Sequence, residues 1–196
     1  MAFRRELFQA TLRDELEAAW HSLKAAHPDE RFYSFGVYTT DVVDYLMVTA
    51  STEQGLERAT AAYVQKFGGA PALRRAALRW SLGDSPLHAE GEGLLAKSDA
   101  LRLEGPDPYA DTAEAEAVLA AVYEDAIGAL KLLDRRGVFG VADEREKLLL
   151  GIWKGDQSDE ERVEFARLLN DAASVERFGR ELEAGDQAFD ELSRAR

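Results

Sequence analysis

Residues 31–50 read RFYSFGVYTTDVVDYLMVTA, the densest run of aromatic and β-branched side chains in the chain. Such residues fit a pleated surface packed on its faces. Phe32, Tyr33, Phe35, Val37, Tyr38 and Thr39 predict one strand. Residues 45–49 predict its antiparallel return across a short polar link at 40–44. Aromatics fall on both faces of the first strand, so it is expected at the centre of a sheet covered on both sides. A strand of that kind obliges the rest of the chain to supply two layers of cover.

Helical periodicity supplies the candidates. Across residues 4–26, Phe8, Leu12, Leu16, Ala19, Trp20 and Leu23 recur at helical steps, with Leu7 widening the stripe. His27-Pro28 closes that helix, because the residue before proline is driven out of the helical region. Ser51 with Gln54 reads as a capping box that opens a helix ending at Phe67, before Gly68-Gly69. Residues 78–81, LRWS, read as a short strand, and a long irregular stretch follows over 87–109. Asp111 with Glu114 caps the most strongly periodic helix, 112–136, whose stripe is Leu119, Val122, Ala126, Leu130 and Leu133. Residues 147–154, KLLLGIWK, are a nearly continuous apolar run of strand length and are expected buried. Ser158 with Glu161 opens a helix to Asn170, and Ser174 opens the last one.

Hairpin-connected strands with helices gathered round them predict an α+β fold. The expectation is a mostly antiparallel sheet with a central aromatic strand, flanked by about five helices. One domain is expected over residues 1–185. Beyond Gly185 only Phe189 and Leu192 could anchor, so 186–196 reads as a loosely held tail.

The charge bounds the partners. Against 24 Lys and Arg stand 37 Asp and Glu, for a net charge of −13, unevenly spread. Residues 31–83 hold six basic and four acidic side chains, 84–116 two and nine, and 156–196 six and twelve. This surplus repels phosphate backbones and anionic lipids, so neither a nucleic acid nor a membrane surface is expected as partner. A basic protein is its complement. There is no cysteine, which removes disulfides, thiolate metal sites and cysteine nucleophiles together. The first residues lack the apolar core of a signal peptide, and no apolar run reaches the ~20 residues of a membrane span. A cytoplasmic setting is expected.

Four stretches together are similar to a known family: FYSFGVYTT, LRWS before an acidic EGEG, GVFG after the long helix, and REKLLLGIW followed by SDEE. The chain resembles the bacterial family catalogued as domain of unknown function 4303, from the first helix to Leu182. Its motifs are core-strand patterns, so the resemblance implies a fold and maps no functional residue. By association it implies an antitoxin-like or immunity-like role, binding and blocking a toxin.

The residues themselves offer little chemistry. His21 and His27 have no second histidine at metal-pair spacing, and His88 with Glu90 and Glu92 would need a further ligand, so no metal or other cofactor is expected. Glu90 and Glu92 could form an acid–base pair, but coincidental pairs abound among so many carboxylates. Phosphate-loop and serine-elbow motifs are missing. Arg74, Arg75 and Arg79 read as structural partners of the acidic excess. The expected function is therefore non-catalytic protein binding. Trp153 would serve as aromatic anchor beside Asp156, Asp159, Glu160 and Glu161, and the two acidic segments would make one negative face if they meet. The alternative is a small-molecule binder or enzyme using the loop between Trp80 and Tyr109, with Trp80, His88, Glu90 and Glu92 as its residues.

Overall fold

The aromatic run forms β1 (Phe32–Thr39), and in the computed structural model, which describes residues 3–195, it is the middle strand of three. β2 (Met47–Thr52) pairs with it antiparallel, Phe35 opposite Ala50 and Val37 opposite Val48. β3 (Leu149–Lys154) pairs on the other side in parallel, Phe35 beside Leu150 and Val37 beside Ile152. The sheet is thus mixed, where a mostly antiparallel one was expected. β3 is reached only after the helices of residues 53–148, and a long crossover lets a strand return in the same direction.

Eight α-helices are present among the described residues, where about five were expected. They are α1 (Arg5–Ala26), α2 (Glu53–Phe67), α3 (Pro71–Leu78), α4 (Ala96–Leu103), α5 (Ala113–Arg135), α6 (Asp143–Lys147), α7 (Asp159–Leu169) and α8 (Ala172–Arg194). The surplus lies in short helices, whose few turns leave little periodicity to read. Residues 78–81 are not a strand: they finish α3 and turn, and Trp80 enters the core from that turn. Pro71 opens α3 at its first position, and Arg79 and Trp80 lie in the turn after its last residue, Leu78.

The two faces of the sheet make two cores. Phe35, Val37, Val48, Ala50, Leu150 and Ile152 meet α1, α4 and α5. The α1 stripe is buried as its spacing predicts, except that Leu7 is 45% exposed. Trp20 sits edge-on to Phe32, Phe35 and Phe139 with ring centroids 5.1–5.4 Å apart. On the other face Tyr33, Leu149 and Trp153 meet Leu56 of α2, Trp80, and Val175, Phe178 and Leu182 of α8.

Caps shift by one residue from expectation in two places. Thr52, not Ser51, accepts from the amide of Gly55 at 3.0 Å, and Gln54 instead ties back to Asp29 and Arg31. Thr112 caps α5 through Ala115. The Ser158–Glu161 box forms in both directions. Asp171 caps α8, three residues before the expected Ser174. Residues 186–195, read from the sequence as a loose tail, continue α8 to Arg194 with Ala188 and Leu192 buried and Phe189 exposed. Residues 1, 2 and 196 of the expected domain and tail lie outside the described residues.

Candidate functional site

Because β1 and β3 run parallel and β2 runs against them, the starts of β1 and β3 and the end of β2 fall at one end of the sheet. Glu30 and Arg31 stand before β1, Lys147 and Leu148 before β3, and Glu53 just after β2. There they wall a cleft of about 710 Å³, closed by Lys24 of α1, Arg79, the α6 turn and Arg177 of α8. Its floor is apolar: Trp20, Phe32, Phe139 and Leu148, all but fully buried beneath it.

Several charges in the cleft are neutralised by neighbours. Glu53 binds Arg75 and, at 2.9 Å, Arg79, which also reaches Glu181 at 2.9 Å. Burial pushes the Glu53 carboxyl upward, but the two guanidiniums outweigh it and hold it below the usual range. The same contest at Glu30 is won by Arg58, at 2.6 Å, and the Thr52 hydroxyl. Lys24 reaches Glu144 at 3.3 Å and lies 5.5–5.8 Å over the rings of Phe32 and Trp20. Among the described residues Arg31, Lys147 and Arg177 have no carboxylate partner; Arg177 donates only to the backbone oxygen of Glu146, at 2.9 Å. Against these three stands one unpaired carboxylate, Asp143. The lining holds no histidine, and its one hydroxyl, on Tyr33, donates to the Arg79 carbonyl at 2.6 Å with its pKa pushed up to about 12 by burial.

A second concavity, about 430 Å³, runs between α7 and α8. Asp159, Glu160, Glu164, Glu183 and Asp186 line it with Arg167, over Val163 and Leu182. Burial, then the charge of Asp186, raise the pKa of Asp159.

The residues singled out from the sequence are dispersed around these features. Asp159 and Glu160 lie in the α7–α8 groove, and Asp156 is exposed in the turn before α7. Glu161 is engaged by its capping box and by Lys154 at 3.1 Å, which lower its pKa. Trp153 is no surface anchor: it is 2% exposed, packed between Trp80 and Phe178, because it points from β3 into the second core. Trp80 is buried there too, its Nε1 donating to Glu181 at 3.0 Å. His88 is not free in a loop: it is half-buried, 3.0 Å from the Thr49 hydroxyl and edge-on to Tyr38. Glu90 pairs with His27 at 2.7 Å, and Glu92 is exposed. No hydrogen bond, ion pair or ring contact joins any two of Trp80, His88, Glu90 and Glu92. Of the two acidic segments, α4 of the first packs on α1, while α8 of the second covers the other face of the sheet.

The sequence reading missed Lys24, Arg31, Lys147 and Arg177. They are far apart in the chain, and only the parallel return of β3 brings the strand ends together. Their one local signal is position, a cation just before each of β1 and β3. Among the described residues no group of three or more acidic or histidine side chains could hold a metal ion, and no helix is long and apolar enough to cross a membrane.

Among known proteins, a family model described as a domain of unknown function (DUF4303) matches residues 12–171. No curated protein matches the chain, and no solved structure does.

Proposed function

The chain belongs to the family of the domain of unknown function DUF4303, and from its own geometry we propose that it is a non-catalytic protein-binding domain for a basic partner. The observation that carries this reading is the groove between α7 and α8, where five carboxylates face one arginine over an apolar floor. A groove of one sign focuses field lines and speeds the approach of an opposite charge, while Val163 and Leu182 supply the apolar contact that retains it. A basic amphipathic helix has matching chemistry: cations along its flanks and one apolar edge for the floor. In its fullest form the reading is immunity-like, a cytoplasmic chain that covers the basic site of a toxin. The missing cysteines suit that compartment.

Glu160 and Glu183 are exposed and have no ion-pair partner, so reversing them should spare the fold. With a Lys- and Arg-rich amphipathic peptide as probe, stopped-flow association should slow by about tenfold in the Glu160→Lys/Glu183→Lys variant. The variant should also lose most of the salt dependence of the parent. An association rate that neither the reversal nor added salt changes would leave the carboxylates with solubility as their only role.

A further inference from the structure

The cleft at the strand ends points elsewhere. We propose that it is a binding site for a small organic anion with a flat apolar body, an aryl carboxylate or a phosphate carried on an aromatic ring. Its about 710 Å³ falls within the roughly 300–1,000 Å³ of small-molecule sites. The floor is aromatic but covered, with Lys24 lying 5.5–5.8 Å over Phe32 and Trp20, so a flat apolar body would reach it by taking the place of the Lys24 side chain. At the mouth, Arg31, Lys147 and Arg177 converge from three separate elements, none with a carboxylate partner.

Their setting is what singles them out. In a chain of net charge −13, most arginines near this cleft are paired: Arg58 with Glu30, and Arg75 and Arg79 with Glu53. Glu144 is similarly taken by Lys24. After these pairs cancel, three cations and the single carboxylate of Asp143 remain. That remainder attracts an anion, and low-dielectric walls of packed aromatics strengthen the attraction. The two guanidiniums can each grip a carboxylate or phosphate through two parallel N–H bonds, and Lys147 adds a point charge. A purely apolar ligand would leave the cations unused, and an inorganic anion would fill little of the about 710 Å³. Both features are satisfied by one molecule carrying both characters. This site is independent of the acidic groove, so the failure of one reading leaves the other standing.

The test uses the intact chain and 8-anilinonaphthalene-1-sulfonate, an aromatic anion whose fluorescence rises on entering an apolar site. Binding should be saturable at one site per chain, with quenching of tryptophan emission, since Trp20 lies in the floor. The Arg31→Glu/Lys147→Glu variant should weaken it by about tenfold or more, while thermal unfolding without the dye is unchanged. N-phenyl-1-naphthylamine, the same body without the sulfonate, should bind more weakly and ignore the reversal. Competition then separates the sources. Displacement by 1-naphthoate marks a carboxylate ligand, and displacement by 1-naphthyl phosphate marks a phosphate one. The proposal is overturned if no saturable binding is seen, if the reversal has no effect, or if the neutral dye binds equally well. It is also overturned if an acidic peptide displaces the dye while both small anions fail, since the occupant would then be a macromolecule. Should the double reversal disturb unfolding, Arg31→Ala with Lys147→Ala gives the same comparison with less electrostatic change.

Discussion

Two glycines show how closely the chain packs on the sheet, one on its second face and one along the edge of β2. Gly151 has no side chain because the Trp153 indole lies over it: a Cβ there would stand 2.2 Å from the ring. Gly91 likewise lets its backbone pass against the carbonyl oxygen of Val48, which a Cβ would approach to 1.8 Å. His88, nearby, gives a residue-level prediction. Burial lowers its pKa below the ordinary 6.5, while the unfolded chain keeps that value. Between the two pKa values the unfolded state binds the extra proton, so stability falls as pH drops. The contribution is present above about pH 6.5 and is lost as pH falls through the lower, folded value. Melting temperatures of parent and His88→Gln should therefore diverge in pH dependence only on the acid side of neutrality, with the variant falling less. Parallel curves would mean that His88 titrates as it would in water. A histidine in loop sequence beside two glutamates carries no mark of the Thr49 and Tyr38 contacts that bury it, which only the folded chain brings together.

At the scale of elements, a three-stranded sheet has two free edges, and both are sealed by polar side chains. Along β3 the Asn170 amide accepts from the Leu150 N–H at 2.9 Å and donates to its carbonyl at 2.8 Å, as a neighbouring strand would. Gln157 does the same more loosely at Ile152 and Lys154. At β2, Asp99 accepts from the N–H of Leu46, just before the strand, at 2.8 Å, and Ser85 donates to the Ala50 carbonyl at 2.8 Å. Sealed edges cannot recruit another chain's strand. The irregular stretch between Trp80 and Tyr109 is thus largely a cover for β2, held by two 3-10 turns and α4. Removing the amide with Asn170→Ala should strand two backbone groups, at a cost of about 1–3 kcal/mol each. Urea denaturation should show a lower midpoint at an unchanged slope. A midpoint equal to the parent's would mean that water replaces the amide freely. What the sequence made legible here was local: the α1 stripe, the Ser158–Glu161 box and the buried runs of β1 and β3 each depend on neighbours within a few positions. Edge seals and the cleft depend on residues tens of positions apart, and the parallel return of β3 is a property of the crossover, which no short window contains.

For the whole molecule, the question is how much of the chain the sheet needs. The family match ends at residue 171, one residue before α8 begins. Yet Val175, Phe178 and Leu182 of that helix complete the second core, with Phe178 edge-on to both Trp80 and Trp153. α8 runs antiparallel along α3. Glu181 meets Arg79, Gly185 lies by the Ala76 carbonyl, and Leu192 reaches Gly69 beyond the other end. These contacts divide α8 into a half that covers the tryptophans and a half that covers α3, so two truncations should behave differently. A chain ended after Gly185 keeps Val175, Phe178 and Leu182 and loses Ala188 and Leu192. It should still unfold in one cooperative step, at a lower temperature, having given up on the order of 1.5–3 kcal/mol for the leucine side chain. A chain ended after Asp171 uncovers Trp80 and Trp153 on one face of the sheet. It should lose the cooperative transition and expose tryptophan to solvent, seen as a red-shifted emission. Thermal unfolding followed by tryptophan fluorescence separates the cases. If the shorter chain melts as sharply as the parent, residues 1–171 fold by themselves and α8 is an addition to a finished domain. If instead the chain ended after Gly185 already fails to melt cooperatively, the contacts of Leu192 near Gly69 hold α3 in place and, through it, the wall of the cleft that Arg79 provides.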